Sequence, residues 1–277
     1  MTVPRAGGGE RIASIDVVRG VAMVLMAIDH VRVYSGQPAG GPTPGIFFTR
    51  WITHFVAPAF VFLAGASIYL HGMRLRERGA GTGALSRFLV TRGLWLVLLE
   101  LTVLRVAWTF NLDVAHYVLA GVIWMIGWCM VLMSAIVFLP EIVIGVAGVA
   151  IIALHNVTNY VPDAMKALEN GSLSWLWRIL YLGGAFGIGG DNGPPLLILF
   201  VLVPWIGVMM AGYAFGRLME RTPDERRTLA LRLGTALTIA FVVLRATNTY
   251  GDPRHWQGNP LQFLATSKYP ASLLFLL

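Results

Sequence analysis

The feature that most constrains this chain is a succession of apolar runs, each close to the length that a helix needs to cross a bilayer. A spanning helix takes about 20 mainly apolar residues. Runs that meet or approach this criterion lie at 17–35, 47–70, 88–110, 118–139, 141–156, 196–216, 229–248 and 267–277. We therefore predict an all-α, polytopic transmembrane helix bundle with about eight spans. The eighth run is too short to cross, so we expect further spans that this chain lacks at its C-terminal end.

Composition supports a membrane protein and excludes several other classes. Hydrophobic residues make up 56% of the 277 residues and charged residues 13%, and a soluble domain of this size cannot hide so much apolar surface. The high apolar content excludes a disordered chain, and the single cysteine, Cys129, excludes an intrachain disulfide framework. The net charge of +7 does not indicate nucleic acid, because basic residues of membrane chains mainly set orientation. We expect no metal site, and the oligomeric state stays open.

The distribution of basic residues predicts a cytoplasmic N-terminus. Ten basic residues then lie inside, at 5, 11, 74, 76, 78, 87, 217, 221, 226 and 227, and four lie outside, at 166, 178, 254 and 268. This asymmetry follows the positive-inside rule. Residues 1–13 form a cytoplasmic tail in this topology, and 157–195, rich in interfacial aromatic residues, form an outer loop or a re-entrant lid. The chain 1–277 is read as one transmembrane domain.

Ionisable side chains within the first two runs indicate a functional site. Each costs about 2.5–3.5 kcal/mol at the centre of a span, so such residues normally face a partner or a watery cavity. His30 lies fourteen residues beyond Asp16, about 21 Å along the helix, which places Asp29 and His30 in the outer half. Arg50 and His54 lie in the outer part of the second run and share one helix face at a spacing of four.

Arg105, Arg245 and Asn248 fall near the same level in the third and seventh runs. The sequence therefore predicts a polar cluster assembled from four helices at one depth. Arg50 has a competing interpretation, in which its guanidinium reaches outward to the membrane surface. Glu100, near the middle of the third run, is equally compatible with a structural ion pair and with a catalytic role.

Several motifs resemble one family of membrane enzymes. SIDVVRGVAMVLMAIDH at 14–30 and HFVAPAFVFLAGASIYL at 54–70 resemble the opening of the heparan-α-glucosaminide N-acetyltransferase catalytic-domain family. LVPWIGVMMAGYAFGRLM at 202–219, LRATNTYGDP at 244–253 and SKYPASLLFLL at 267–277 resemble its bacterial branch. The resemblance implies an integral, multi-pass acyltransferase of the bacterial plasma membrane. Such an enzyme moves an acyl group, acetyl in the characterised cases, from cytosolic acyl-CoA to a sugar hydroxyl or amine on the outer side.

The resemblance also implies roles for the polar residues. The lysosomal member carries Asn at the position of His30 and a catalytic His in the next loop, whereas the loop 36–45 here contains none. Related acyltransferase families carry His at that position, so we expect His30 to be the general base, with His54 in reserve. Either Asp29 or Asn248 is expected to orient the imidazole or the acceptor. The expected acceptor-binding residues are Arg50, Arg105, Arg245 and Asn248. Arg19 and Arg92 are expected to bind the phosphate groups of acyl-CoA, although Arg92 is also placed to reach the inner membrane surface.

Two other classes compete with the enzyme. A transporter or permease also needs buried charges, and Pro58 and Pro204 interrupt the second and sixth runs as in many transporters, but the sequence shows no matching halves. A structural or assembly subunit would have neutral spans, which leaves the polar residues unexplained.

Overall fold

The computed structural model describes residues 13–36, 43–113, 117–190 and 193–277. These residues are mostly helical. The α-helices are α1 (Ala13–Tyr34), α2 (Pro44–Trp51), α3 (Val56–Glu77), α4 (Thr82–Leu99), α5 (Arg105–Thr109), α6 (Val122–Ile136), α7 (Glu141–Leu154), α8 (Pro162–Asn170), α9 (Ser174–Trp177), α10 (Val203–Gly216), α11 (Pro223–Thr247), α12 (Pro260–Leu264) and α13 (Leu273–Leu276). Short 3₁₀ or π turns continue several of them, among them Ile52–Phe55 between α2 and α3 and Glu100–Leu104 between α4 and α5. The predicted cytoplasmic tail, except for Ala13, lies outside the described residues.

Three continuous helical segments in the described part of the chain are long and apolar enough to cross a membrane. They are Pro44–Glu77, Glu141–Tyr160 and Pro223–Thr247. The other predicted spans fall on shorter or more charged elements, so the count of about eight is not confirmed. Helix α6 has only 15 residues. Residues 267–277 contain the four-residue helix α13 and an isolated bridge between Lys268 and Ala271 in place of the predicted start of a span.

A small sheet interrupts the helical architecture, and the all-α prediction is wrong on this point. Strand β3 (Pro195–Ile198) pairs in parallel with β1 (Val118–Ala120) and antiparallel with β2 (Gly184–Gly187). Two of these strands lie at the starts of predicted spans, because an apolar run alone does not distinguish a buried strand from a helix. The predicted outer segment 157–195 folds as α8, α9 and β2; its side of the membrane stays a prediction.

The main helix pairs pack through glycines that bring backbones together. A Cβ on Gly65 of α3 would lie 2.0 Å from the carbonyl oxygen of Met209 in α10, and a Cβ on Gly212 of α10 would lie 2.0 Å from the Phe62 carbonyl oxygen. Only glycine fits such contacts, which allow close packing where lipid provides no hydrophobic drive between helices. Two further helix pairs meet in the same way, α4 with α6 at Gly93 and Gly127, and α7 with α10 at Gly148 and Gly207.

Glu100 has a structural role that neither sequence-based interpretation foresaw. It lies in the π turn that follows α4, and its Oε2 accepts hydrogen bonds from the backbone N–H groups of Ile123 at 3.0 Å and Trp124 at 3.3 Å. A carboxylate at a helix N-terminus satisfies free N–H groups and complements the helix dipole. Gly121 makes room for it, because a Cβ there would lie 2.4 Å from Glu100 Oε1. Glu100 therefore caps α6.

The glycine contacts give a stability prediction. Replacing Gly65 by Ala forces a methyl group against the α10 backbone, and we expect the thermal midpoint in detergent to fall, with a loss of about 1–3 kcal/mol from overpacking. The matched control is Gly234→Ala in α11, where a Cβ meets nothing within 4 Å and the change raises helix propensity by up to about 1 kcal/mol. Equal midpoints for the two variants would contradict glycine-mediated packing.

Candidate functional site

Asp29 joins the end of α1 to the turn between α2 and α3. Its Oδ1 accepts a hydrogen bond from Arg32 Nη2 at 2.9 Å and another from Thr53 Oγ1 at 3.1 Å. The Thr53 hydroxyl also lies 2.7 Å from the carbonyl oxygen of Arg50. The α1 carboxylate is thereby fixed beside the residues that precede α3.

His54 lies on the 3₁₀ turn Ile52–Phe55, next to this junction. Its ring centroid is 5.3 Å from that of Phe275, and its buried Nε2 has no hydrogen-bond partner among the described residues. A buried polar atom without a partner is costly and needs an explanation. A neutral imidazole nitrogen can accept a hydrogen bond from a hydroxyl or an amine.

Lys268 completes the charges at this site, and the sequence-based reasoning did not select it. Its half-buried ammonium interacts electrostatically with Asp29, Arg50 and Arg32. The pKa of Lys268 lies below its usual value, and burial of the ammonium group is the main cause. The Asp29 carboxylate partly offsets this effect, whereas the positive charge of Arg50 adds to it. The signal was present in the sequence, since the chain has only two lysines and this one stands in an apolar C-terminal stretch.

We call the group formed by these three segments the polar cluster. It comprises Asp29, Arg32, Arg50, Thr53, His54 and Lys268. The polar cluster contains three basic side chains, those of Arg32, Arg50 and Lys268, and one carboxylate, so basic groups outnumber acidic ones. The described residues contain no group of three or more His, Cys, Asp or Glu that could hold a metal ion. The available chemistry is therefore that of a base, a carboxylate and cations.

A network of hydrogen bonds holds the segment that carries Lys268. Asp252 Oδ2 accepts from the backbone N–H of Ser267 at 2.8 Å and from the Ser272 hydroxyl at 2.7 Å. Asn156 Oδ1, next to α7, accepts from the Leu273 N–H at 2.7 Å. The C-terminal segment is thus fixed from both sides of Lys268.

Arg245 does not contribute to the polar cluster. It contacts the chain segment that leads from α11 to Lys268. The buried guanidinium donates hydrogen bonds to four backbone carbonyl groups, those of Arg254, Gln262, Phe263 and Ala265. Asn248 ends α11 in the left-handed conformation, and its Nδ2 donates to the Trp256 carbonyl at 2.9 Å. Both residues organise the connector between α11 and Lys268.

Arg105, at the start of α5, also has its guanidinium bonded to backbone carbonyl groups. It is 1% exposed, and its guanidinium donates to the carbonyl groups of Tyr117 at 2.7 Å, Asn111 at 3.0 Å and Asp113. His30 points toward this region, with its ring packed edge-to-face on Trp108 at 4.8 Å. His30 also interacts electrostatically with Asp29 and Lys268, which places it at the border of the polar cluster.

The two arginines expected to bind acyl-CoA lie apart from each other. Arg19 donates a hydrogen bond to Ser67 Oγ of α3 and lies 3.7 Å from Asp16 of its own helix. Arg92 is exposed on α4. Their role in binding acyl-CoA stays a prediction.

Comparison with known families shows the family of the chain. Residues 11–247 match the model of the family described as heparan-alpha-glucosaminide N-acetyltransferase, catalytic. The chain belongs to this family. The match includes α1 and the turn with Arg50 and His54, so most of the polar cluster lies within the catalytic domain, whereas Lys268 lies beyond it. The family indicates a membrane acetyltransferase and does not favour a transporter. No curated protein matches the chain.

The connector gives a prediction that separates a positioning residue from a substrate-binding one. In Arg245→Gln we expect faster hydrogen exchange in residues 252–272, because hydrogen bonds from a charged group are worth about 1.5–3 kcal/mol. Exchange in α3 and α10 should stay unchanged. The control is Arg232→Gln, which removes an exposed arginine from the same helix. Unchanged exchange in residues 252–272 of Arg245→Gln would contradict the positioning role.

Proposed function

We propose that this protein transfers an acetyl group from acetyl-CoA to a sugar hydroxyl or amine at the polar cluster. The observation that carries the proposal is the gathering of Asp29, Arg50, His54 and Lys268 from three chain segments of an acetyltransferase-family domain. Charges in an apolar bundle are costly and mark functional sites by default. No metal ion is required for this reaction, since a base and a cation supply what acyl transfer needs.

An imidazole nitrogen takes the proton in the proposed reaction. The acceptor oxygen or nitrogen attacks the thioester carbonyl while the imidazole removes its proton, and the carbon–sulfur bond then breaks. The leaving thiolate receives the proton back from the imidazolium, so that free thiol and acetylated sugar are the products. A covalent acyl-imidazole intermediate is the alternative route, and burst kinetics distinguish it from direct transfer.

Two histidines compete for the role of base. The geometry favours His54, because its buried Nε2 has no hydrogen-bond partner among the described residues and its ring interacts electrostatically with both Asp29 and Lys268. His30, the candidate from the sequence, packs edge-to-face on Trp108 at the border of the polar cluster. In this proposal His54 is the base and His30 lines the acceptor site.

Besides a base, acyl transfer requires stabilisation of an oxyanion, and cationic side chains supply it in this proposal. The oxyanion of the tetrahedral intermediate needs preorganised donors in a site that excludes water. The ammonium group of Lys268 and the guanidinium of Arg50 interact electrostatically with each other and with His54. We assign oxyanion stabilisation to Lys268 and acceptor binding to Arg50, while Asp29 holds Arg32 and Thr53 in place.

The two histidines are tested by acetyl transfer in membranes. We expect kcat of His54→Ala to fall by about 10²–10⁴-fold, the usual contribution of a general base, and that of His30→Ala to fall less, with a larger change in KM for the acceptor. Protein abundance and hydrogen exchange check that each variant is inserted and folded. Full activity of folded His54→Ala would remove His54 from the mechanism.

The two lysines of the chain, Lys268 and Lys166, allow a matched comparison of variants. We expect Lys268→Met to lower kcat by about 10²–10³-fold, as the loss of an oxyanion-stabilising donor does in other enzymes. Lys166→Met changes the only other lysine, which is exposed on α8, and should keep wild-type kinetics. Equal activity of the two variants would contradict a role for Lys268 in the reaction.

A further inference from the structure

A cavity lies at the end of the helix bundle opposite to the polar cluster. Its volume is about 620 Å³, and its lining includes Gly72, Arg76, Thr82, Tyr213 and Arg217. Gly72 lies eighteen residues beyond His54 in one nearly continuous helix, about 27 Å along its axis. The cavity and the polar cluster are therefore separated by about the thickness of a hydrocarbon core.

Two arginines from different helices face this cavity with most of their donors uncommitted. Arg76 Nη1 lies 3.7 Å from Glu141 Oε1 and Arg217 Nη1 lies 4.0 Å from Glu141 Oε2, which are ion-pair distances longer than hydrogen bonds. Within the described part of the chain, the Arg76 guanidinium makes one weak hydrogen bond, from Nε to the Gly72 carbonyl oxygen at 3.4 Å. Exposed pairs of this kind contribute little stability, so the arginines are available to a ligand.

The cavity also contains neutral hydrogen-bond donors. Thr82 begins the 18-residue helix α4, whose N-cap residue Gly81 supplies no side-chain cap. The Ala84 N–H donates to the Gly81 carbonyl oxygen, which leaves the N–H groups of Thr82 and Gly83 at the helix N-terminus for an anion. Tyr213 of α10 adds an aromatic side chain to the lining. Paired guanidinium groups beside a helix N-terminus bind phosphate well, because they offer several donors in a fixed geometry.

We propose that this cavity binds a phosphate-bearing group through Arg76, Arg217 and the N-terminus of α4. The group is either the nucleotide part of a coenzyme A donor, a case that rests on the proposed function, or the headgroup of an anionic lipid. Glu141 is the internal competitor, since its carboxylate holds both guanidinium groups near the cavity and repels a phosphate. The sequence-based donor residues Arg19 and Arg92 do not line this cavity.

Binding measurements on the full chain in nanodiscs test the proposal. We expect Arg76→Gln and Arg217→Gln each to weaken binding of the phosphate ligand by about tenfold or more, the effect of losing a charge-assisted hydrogen bond. The control is Arg74→Gln, an exposed arginine on the same helix that does not line the cavity. Glu141→Gln should tighten binding several-fold, an effect that misfolding cannot imitate.

Two probes distinguish the sources of the phosphate. Titration with coenzyme A reports the donor nucleotide, and the rise in thermal midpoint from phosphatidylcholine to phosphatidylglycerol nanodiscs reports a lipid headgroup. If the arginine variants lose coenzyme A binding, the cavity binds the donor nucleotide. If they lose the rise in thermal midpoint in phosphatidylglycerol nanodiscs, the cavity binds a lipid headgroup. If neither effect changes, or Arg74→Gln changes them equally, the proposal is overturned. Because both probes are independent of acetyl transfer, an inactive protein that still shows the arginine-dependent effect would refute only the proposed function.

Discussion

The close contact of helix backbones at paired glycines is the constraint on which the rest of the structure depends. In lipid, apolar side chains gain nothing by burial between helices, so close approach and dispersion must hold the bundle together. Helix α10 meets α3 at Gly65 and Gly212 and meets α7 at Gly148 and Gly207. Helix α10 therefore forms the centre of the packed core. It also fixes α3, which has the polar cluster at one end and the cavity lined by Arg76 and Arg217 at the other.

This packing explains how charged groups are tolerated at defined positions. A rigid core leaves the polar residues little freedom to reach the membrane surface, and backbone carbonyl groups supply hydrogen-bond partners for some of them. Arg105 and Arg245 show the second solution, since each is almost fully buried and bonded to several carbonyl oxygens. The polar cluster differs, because His54 keeps a buried nitrogen without a partner. The unpartnered nitrogen of His54 thus distinguishes the proposed catalytic site from the two buried arginines, which order the connecting segments.

Sequence reasoning reached the family and the mostly helical fold. It placed Asp29, Arg50 and His54 at one level because helical rise converts sequence separation into depth. It missed the strands at 118–120 and 195–198, although Gly121 before α6 and Pro204 at the start of α10 mark where those helices begin.

The sequence marks Lys268 as unusual, but it does not predict the position of Lys268 beside Asp29 or the roles of the buried arginines, for a physical reason. A guanidinium bonded to carbonyl groups and one that awaits a substrate look alike in a sequence, because the difference lies in how a distant loop folds around it. Lys268 joins the polar cluster only through the connector that Asp252 and Arg245 organise. Contacts that depend on such a connector are not encoded in any local pattern.

The central claim is that side chains from separate segments act as one catalytic unit at the polar cluster. A double-mutant cycle on the rate of acetyl transfer tests it most directly, with His54→Ala, Lys268→Met and the combined variant. Residues that act as a unit are strongly non-additive, so the account predicts a double variant about as slow as the slower single variant. Rate losses that simply multiply in the double variant would contradict it.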